Sequence, residues 1–374
     1  MKFKVSSSAL LSHLQAISRV INPKNNIPIL DCFLLELADD VLTITAADSE
    51  TRLETKLSIS DLSKAGSLAI NAKNLLEPLR ELPEQPLTFE VDTDTLEVLI
   101  LYQNGQYKFM GQKSDEYPTP KELNESAISL AMPADTLFNG INRTVYATAE
   151  DELRPVMNGI YFDITDENIT FVASDGHKLV RIINSEVKGE GRASFILPKK
   201  AALLLKSLLP KESGDVEIKF DENNAYFNMS NNILICRFVE GRFPNYNSVI
   251  PQNNPNNVTL DRVSFLNALK RVSVFSNPAS SLVKLQLSED KIVVSAQDID
   301  FMTSAEETIL CQYNGIVMNI GFKAVFLIDI LNNIPSSEVV LELSDPSRAG
   351  IIFPLENEEN EDMLSLLMPM MLND

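Results

Sequence analysis

The sequence predicts an α+β fold of three tandem, similar domains, each with two helices packed on antiparallel sheets. Landmarks recur about every 125 residues along the 374-residue chain, which is typical of an internal repeat. Alternating apolar runs follow one another across short turns, so we expect roughly eight strands per copy. Because these runs do not alternate regularly with helices, a doubly wound parallel sheet is not expected.

The first landmark is an aspartate that follows an alternating, β-rich run. In each copy an acidic turn leads into the run, a small residue follows, and the aspartate comes next. These aspartates are Asp48, Asp175 and Asp298, with spacings of 127 and 123 residues. The spacing predicts that the same hairpin occurs in every domain.

Three further landmarks repeat with nearly the same period. An amphipathic helix opens with a lysine at Lys73, Lys199 and Lys323. A proline lies near the end of each copy, in the pairs Tyr117-Pro118, Phe243-Pro244 and Met368-Pro369. A helix at the start of each copy has apolar residues at i and i+4, namely Leu10 and Leu14, Leu137 and Ile141, and Phe265 and Leu269. Because the four landmarks agree, we predict domains at residues 1–125, 126–253 and 254–374, each large enough to bury a core.

The charge of the chain is acidic overall but unevenly distributed. The 52 acidic and 32 basic residues give a net charge of −20, which excludes a generally basic coat for nucleic acid. The predicted helices carry an excess of seven bases, so the remainder carries −27; they span residues 7–22, 71–82, 134–149, 199–209, 262–277 and 322–334. If all six helices line one surface, that surface attracts phosphates without reading bases. On charge alone, the alternative is that these bases are the solvated faces of ordinary amphipathic helices.

The sequence contains little that is typical of an enzyme. The chain has two histidines and three widely separated cysteines, and it lacks the HExxH, GxSxG and phosphate-loop motifs. We therefore expect no catalytic residue, no cofactor, no bound metal and a reducing compartment. We also expect neither a signal peptide nor a membrane span, and hence a cytoplasmic protein. An enzyme site built on His177 and Cys236 stays open as an alternative, although Cys236 has the surroundings of a buried strand residue.

Two stretches differ from their repeat mates. The second copy has SDGHKL at Ser174–Leu179 where the other copies have AADSET and SAQDID. The chain also ends in MLSLLMPMMLND, which is unusually apolar and rich in methionine for a terminus. This end is either a final strand packed on the core or an adaptable methionine surface for peptide side chains.

Together these features closely resemble the bacterial β sliding clamps, the processivity subunits of DNA polymerase III. The resemblance covers the whole chain and rests on the threefold repeat and on six strings. The strings are IPIL (Ile27–Leu30), MNG (Met157–Gly159), SDGHKL (Ser174–Leu179), EGRFPNY (Glu240–Tyr246), IGF (Ile320–Phe322) and MPMML (Met368–Leu372). It implies a head-to-tail homodimeric ring of six domains, with helices lining a hole that holds double-stranded DNA without sequence preference.

The resemblance also implies partners and contact residues. The implied partners are the α subunit of DNA polymerase III, the clamp-loader δ subunit, and repair or other proteins with a clamp-binding motif. By position, the family's DNA contacts correspond to Lys24, Lys73, Arg80, Arg154, Lys199 and Lys200. Charge and helix placement alone add Arg19, Arg143, Lys206, Lys270 and Arg271.

The family's hydrophobic peptide pocket between the second and third domains is the last implied feature. Its residues here are Met157, Ser174, Gly176, His177, Lys178, Leu179, Pro244, Val249, Phe326, Met368, Pro369, Met370, Met371 and Leu372. The chain departs from relatives at Ser248, Ser280 and Met371, and it extends past Leu372 by Asn373 and Asp374. A peptide-binding scaffold of three repeats that does not encircle DNA is the alternative function.

Overall fold

The structure, a computed structural model, describes residues 1–372 of the chain, without the side chains of residues 60–63. The extension Asn373-Asp374 therefore lies outside the described residues. The described chain forms six α-helices and 25 β-strands in antiparallel sheets, which confirms the predicted fold class. The helices are α1 (Ser7–Ser18), α2 (Ala72–Glu81), α3 (Ala134–Asn142), α4 (Lys199–Leu208), α5 (Arg262–Val272) and α6 (Ala324–Asn333).

The strands divide among the three predicted domains as nine, eight and eight within residues 1–372. The first set is β1 (Lys2–Ser6), β2 (Cys32–Ala38), β3 (Val41–Ala47), β4 (Thr51–Ser58), β5 (Ser60–Lys64), β6 (Gly66–Asn71), β7 (Pro86–Asp92), β8 (Glu97–Tyr102) and β9 (Gly105–Met110). The second set is β10 (Ile128–Pro133), β11 (Gly159–Ile164), β12 (Ile169–Ser174), β13 (Lys178–Asn184), β14 (Ala193–Pro198), β15 (Asp215–Phe220), β16 (Asn224–Asn228) and β17 (Asn232–Arg237). The third set is β18 (Asn256–Asp261), β19 (Leu282–Ser288), β20 (Lys291–Asp298), β21 (Thr303–Leu310), β22 (Met318–Lys323), β23 (Glu338–Leu343), β24 (Gly350–Pro354) and β25 (Glu361–Leu367).

Each described helix follows directly on a strand. At α1, α2 and α5 the last residue of that strand has a short polar side chain that caps the helix. Ser6 accepts a hydrogen bond from the Ala9 amide at the start of α1, and Asp261 accepts one from Ser264 at the start of α5. The apolar pairs at i and i+4 that the sequence predicts in α1, α3 and α5 are fully buried. No described helix is long and apolar enough to cross a membrane.

Three helices end at least four residues earlier than the sequence pattern predicts, and the first of them, α1, stops at Ser18 instead of residue 22. Helix α3 stops at Asn142 although the apolar pattern continues to residue 149. The Thr144 hydroxyl donates to the Gly140 carbonyl at 2.6 Å, and residues 145–147 form a 3₁₀ turn. Helix α5 stops at Val272 and likewise continues as a 3₁₀ turn. Side-chain competition and tightening of the last turn are common ways in which a helix ends.

The chain separates into two compact units. Unit 1 contains Met1–Leu137 and Leu203–Phe238, and unit 2 contains Phe138–Ala202 and Val239–Asp374. Two of the three boundaries fall within α3 and α4, and the third follows Phe238, just after β17. Unit 1 has a sheet in the order β5-β1-β7-β8-β9 and an eight-stranded sheet in the order β10-β15-β16-β17-β4-β3-β2-β6. Unit 2 has an eight-stranded sheet in the order β14-β11-β12-β13-β25-β24-β23-β18 and a sheet in the order β21-β20-β19-β22.

Each eight-stranded sheet joins four strands of one predicted domain to four strands of the next. In unit 1 the joining pair is β4 and β17, with Thr51 opposite Cys236. In unit 2 the equivalent pair is β13 and β25, with Lys178 opposite Leu367. By the same repeat, β21 is the third member of the series of β4 and β13, and it is an edge strand of the described chain. Strand β9, the last strand of the first set, is also an edge strand.

The aspartate landmark marks the same turn in all three copies. The carboxylate of Asp48 accepts from the amides of the residues two and three positions later, and Asp175 and Asp298 do the same. This Asx turn closes each hairpin. The lysine landmark is less regular. Lys73 is the second residue of α2, Lys199 is the first residue of α4, and Lys323 directly precedes α6.

The proline landmark is wrong for the third copy. The amide of Arg237 donates to the carbonyl of Glu50, and the amide of Met368 donates to that of His177, both at 2.9 Å. Since Glu50 and His177 occupy the same place in their turns, Met368 is the counterpart of Arg237 and not of Phe243. The repeat of an apolar residue before proline is a coincidence of spacing there.

Candidate functional site

The SDGHKL stretch forms the tight turn between β12 and β13. The Asp175 carboxylate accepts from the amides of His177 and Lys178 at 2.8 and 2.9 Å. The Ser174 hydroxyl donates to the Lys178 carbonyl and accepts from the Gly176 amide. Gly176 has φ = +88°, in the left-handed region that favours glycine. A Cβ there would lie 2.8 Å from Nη1 of Arg154, so only glycine fits this turn without displacing a neighbour.

A buried ion pair fixes the underside of this turn. The Lys178 ammonium lies 2.7 Å from Oδ2 of Asp175, and its side chain is only 5% exposed. The ammonium also lies 4.1 Å from the centroid of the Phe326 ring, which is a cation–π distance. Burial alone would raise the pKa of Asp175, but hydrogen bonds from Lys178 and His177 hold it below its usual value. The hydrogen bonds within the turn and this ion pair therefore hold its conformation.

A mostly apolar cavity of about 160 Å³ opens beside this turn, and we call it the apolar pocket. Nine of the residues that the resemblance assigns to a peptide site line it, all within unit 2. They are Met157, Ser174, Gly176, His177, Lys178, Leu179, Pro244, Val249 and Met368. The pairing of β13 with β25 brings the end of the third predicted domain against the turn of the second.

Four lining residues were missed by the sequence reasoning: Phe243, Asn245, Tyr246 and Leu366. The Phe243 ring stacks on Tyr161 with centroids 4.9 Å apart, and the Tyr246 hydroxyl lies 3.3 Å from a carboxylate oxygen of Asp163. These contacts hold the segment around Pro244 as one wall of the pocket. Three of the four belong to the EGRFPNY string, so this string could have predicted them as pocket residues.

Five predicted pocket residues are not among those that line the cavity. The ring of Phe326 lies 6.0 Å from that of His177, beside the turn. The Met370 amide donates to the Gly321 carbonyl, which ties the chain end to β22. Met371 is 80% exposed. The five are Phe326, Pro369, Met370, Met371 and Leu372, and their role in binding stays a prediction.

Most of the predicted DNA-contact residues lie at the protein surface. Seven are exposed: Arg19, Lys24, Lys73, Arg80, Arg154, Lys270 and Arg271. Lys199, Lys200 and Lys206 are half-buried. Arg271 forms a bidentate ion pair with Glu307. Lys199 pairs with Glu150 at 2.7 Å and Arg154 with Asp151 at 2.8 Å, so phosphate contacts by these side chains compete with internal carboxylates.

Arg143 does not fit the predicted role as a DNA contact. Its side chain is 10% exposed and forms ion pairs with Glu358 at 2.7 Å and with Glu361 at 2.6 Å. Burial, which outweighs the attraction of Arg143, raises the pKa of Glu361. Removing the guanidinium from these carboxylates to reach a phosphate would leave them uncompensated. We therefore exclude Arg143 from the proposed DNA contacts and assign it a structural role.

Arg154 lies beside the apolar pocket. Its Nη2 donates to the Asp175 carbonyl at 3.4 Å, and its Nη1 faces Gly176. A cation at this position can meet a phosphate or a carboxylate of a bound peptide. The predicted DNA contact and the predicted peptide site therefore meet at this residue.

The thiol environment argues against the alternative of a cysteine nucleophile. Cys236 is 1% exposed, and burial raises its pKa to about 12. A nucleophilic cysteine needs a low pKa and access to its substrate. Among the described residues, no group of three or more histidine, cysteine or acidic side chains is placed to hold a metal ion.

Comparison with known families matches the chain in three consecutive segments. The models of the DNA polymerase III beta subunit match at residues 1–121 for the N-terminal domain, 131–245 for the central domain and 247–371 for the C-terminal domain. Three similar domains, each with helices on antiparallel sheets, define the class of DNA clamps.

Individual relatives extend over the whole chain. The beta sliding clamp of Haemophilus influenzae is 30% identical over 377 residues and covers 100% of both chains. The crystal structure of the sliding clamp of Pseudomonas aeruginosa bound to griselimycin has a TM-score of 0.93 at 26% identity, and that of Bartonella birtlesii has a TM-score of 0.93 at 27%, each covering 100% of both chains. The chain belongs to the DNA polymerase III beta subunit family, the bacterial sliding clamps.

Proposed function

We propose that this protein is a DNA sliding clamp that closes around duplex DNA as a head-to-tail dimer and holds replication proteins by short peptides. The DNA clamp function follows from membership of the family. The closed dimer, the contacting residues and the individual partners are proposals, each supported by a separate feature of the fold.

The repeat of strand pairing is the observation that carries the ring proposal. Strand β4 of the first copy pairs with β17, the last strand of the second copy, and β13 pairs with β25 in the same way. Strand β21 is the third in this series, and β9 is the last strand of the first copy. A second copy of the chain can supply β9 to β21, and the reverse pairing closes a symmetric dimer. Six similar domains then form the ring.

Exposed apolar residues support β21 as a contact surface. The 3₁₀ turn after α5 contacts β21 and carries Val274 and Phe275, which are 77% and 41% exposed. Leu310 at the end of β21 is 82% exposed, and Met110 at the end of β9 is 59% exposed. Edge strands with apolar neighbours are prone to pair with another chain.

Ten cations constitute the proposed DNA contacts, on helices or on the loops beside them. They are Arg19, Lys24, Lys73, Arg80, Arg154, Lys199, Lys200, Lys206, Lys270 and Arg271. Such contacts to phosphates are independent of sequence, and a clamp that slides needs many weak ones. The acidic remainder of the chain repels DNA and favours contact at these residues.

The apolar pocket is the proposed docking site for partner peptides. Its walls of leucine, valine, proline, tyrosine and methionine suit apolar side chains of an extended segment. The proposed partners are the α subunit of DNA polymerase III, the clamp-loader δ subunit and other proteins with a clamp-binding motif. We further propose that the protein has no catalytic site of its own and acts in the cytoplasm.

The domain bounds 1–125, 126–253 and 254–374 are part of this proposal. The first helix of each copy begins at Ser7, Ala134 and Arg262, which are 127 and 128 residues apart, and this supports them.

The first experiment is size-exclusion chromatography with light scattering at micromolar concentration. A mass near twice 41.6 kDa supports the ring, and the retained fraction on nicked circular DNA should then fall when the circle is linearised. A protein that slides off linear DNA but stays on the circle is held topologically. A monomer with equal retention on both DNA forms would contradict the ring and favour the peptide-binding scaffold.

A further inference from the structure

Unit 1 contains a second pocket that repeats the backbone frame of the apolar pocket. It has a volume of about 190 Å³ and we call it the polar pocket. Its walls are the turn at residues 47–52, the end of β17 at residues 235–237, the segment at residues 118–121 and Asn224. The apolar pocket is built from the matching turn, the end of β25 and the segment around Pro244.

Hydrogen bonds establish the equivalence of the two frames. In both turns an aspartate accepts from the amides two and three residues later, and its own amide donates to the carbonyl three residues on. In both, the joining strand of the next copy donates an amide to the turn, from Arg237 to Glu50 and from Met368 to His177. The backbone around the two pockets thus has the same hydrogen-bonding pattern, and the pockets differ in the side chains that line them.

The third wall of the polar pocket is held firmly in place. The Arg52 guanidinium donates to the Pro118 carbonyl at 2.8 Å and also pairs with Glu54 at 2.6 Å. The Tyr226 hydroxyl donates to the Lys121 carbonyl at 2.7 Å. Both ends of the segment 118–121 are therefore held by hydrogen bonds, one from Arg52 and one from Tyr226. A preformed pocket spends less free energy on ordering when a ligand binds.

The side chains convert this frame from an apolar site to a charged one. Arg237 stands where the apolar pocket has Met368, and Glu50, Thr51 and Arg52 replace His177, Lys178 and Leu179. The floor remains apolar, with Ala47, Ile235 and Cys236 buried. The lining carries three bases and two acids, and one of these acids, Asp48, closes the turn. Glu54, the ion-pair partner of Arg52, adds a third acid, so the local charge is balanced on a chain of net charge −20.

We propose that the polar pocket is a second peptide site, which takes an extended segment of a partner protein with an acidic residue beside a small apolar one. The apolar residue fills the floor, and the carboxylate meets Arg237 and Lys121 at the rim. The net charge of the chain disfavours an acidic segment elsewhere, whereas this pocket is locally balanced and has two exposed bases, Arg237 and Lys121, in its lining. The inference rests on the proposed function in one respect, since it takes the apolar pocket to be a peptide site.

Two capped hexapeptides provide the test, Ala-Ala-Glu-Val-Ala-Ala and the same peptide with Lys in place of Glu, each with a neutral dye. Fluorescence anisotropy with the full-length protein should show tighter binding of the Glu peptide. Arg237→Met, which installs the residue of the apolar pocket, and Lys121→Gln should each weaken this binding about fivefold. Met368→Ala in the apolar pocket is the matched control and should leave it unchanged.

Three results would overturn the proposal: equal binding of the two peptides, loss of binding with Met368→Ala alone, or no binding of either peptide at millimolar concentration. Because the Lys121 side chain is exposed, its variant keeps the test valid if Arg237→Met fails to fold. A clamp-loader peptide titrated against Met368→Ala tests the apolar pocket separately. Unchanged binding there, with Glu-peptide binding lost in the unit 1 variants, would reject the first site and retain the second.

Discussion

Arg143 and Gly176 illustrate how much a residue's role depends on neighbours that are distant in the sequence. Arg143 follows a helix and has the appearance of a surface cation, yet it pairs with carboxylates more than 200 positions away. Gly176 is one residue of a turn signal, and its positive φ and its contact with Arg154 explain why glycine is needed.

Replacing Gly176 by alanine should weaken both the turn and the apolar pocket. The left-handed conformation costs a residue with a Cβ about 1–2 kcal/mol, and the new methyl group would meet Arg154. We expect a lower urea midpoint and weaker binding of a clamp-loader peptide. Gly191→Ala is the control, because nothing lies within 4 Å of a Cβ at that position. Equal effects of the two substitutions would contradict this account of the turn.

The three thiols should react slowly with iodoacetamide at pH 8. Burial raises the pKa to about 11 for Cys32 and Cys311 and to about 12 for Cys236. A raised pKa means less thiolate at a given pH, about one molecule in a thousand at pH 8 for a pKa of 11. Labelling should therefore rise about tenfold per pH unit up to pH 10, with Cys311 first because it is partly exposed. Labelling of Cys236 at the rate of free cysteine would revive the nucleophile hypothesis.

At the scale of elements, strand pairing across the repeat joins strands of successive copies into one sheet within each unit. Strands β17 and β25 each extend the sheet of the preceding copy, so the only members of this series at a sheet edge within residues 1–372 are β9 and β21. The same pairing creates both pockets, because each lies where a joining strand ends beside an Asx turn.

Placing a charge beside β21 should separate the proposed dimer. Val274→Glu puts a carboxylate on an apolar surface that would be desolvated on association, which costs several kcal/mol if the charge stays unpaired. Light scattering at micromolar concentration should show the mass moving from twice 41.6 kDa toward 41.6 kDa. Leu355→Glu, at a position that is 45% exposed and outside the proposed interface, should leave the mass unchanged. A persistent dimer in the Val274 variant would place the interface elsewhere.

At the scale of the whole molecule, charge separation is the property that fits a clamp. The chain has a net charge of −20, yet the predicted helices carry an excess of bases. The ion pairs of Lys199, Arg154 and Arg271 moderate this basic character, because each cation is partly neutralised by a neighbouring carboxylate. We therefore expect the proposed DNA contacts to be weak and sensitive to salt.

Reversing three of the proposed contacts should weaken retention on DNA circles. Changing Lys73, Lys199 and Lys200 together to Glu removes up to three phosphate contacts. The negative slope of log K against log salt should therefore become less steep, by about 2.7. Retention on nicked circles over a series of salt concentrations measures this slope. Lys188, Lys219 and Lys284, all exposed and outside the proposed contacts, provide a control triple change to Glu. Equal slopes for the two triple variants would favour the peptide-binding scaffold.

The sequence by itself determined the repeat, the fold class and the family. These are local properties, since apolar periodicity, turn residues and short strings lie within a few positions of one another. The Asx turns at Asp48, Asp175 and Asp298 were visible for this reason, and so was the turn that borders the apolar pocket.

Only the tertiary structure decided which residues of different copies meet. It paired Met368 with the turn at His177, which showed that the third proline landmark was a coincidence, and it brought Phe243, Tyr246 and Leu366 into the pocket wall. It also buried Arg143 between Glu358 and Glu361 and revealed a second pocket that the sequence motifs did not predict. Strand register and burial between distant segments depend on the packing of the whole unit, and local sequence patterns do not contain that information.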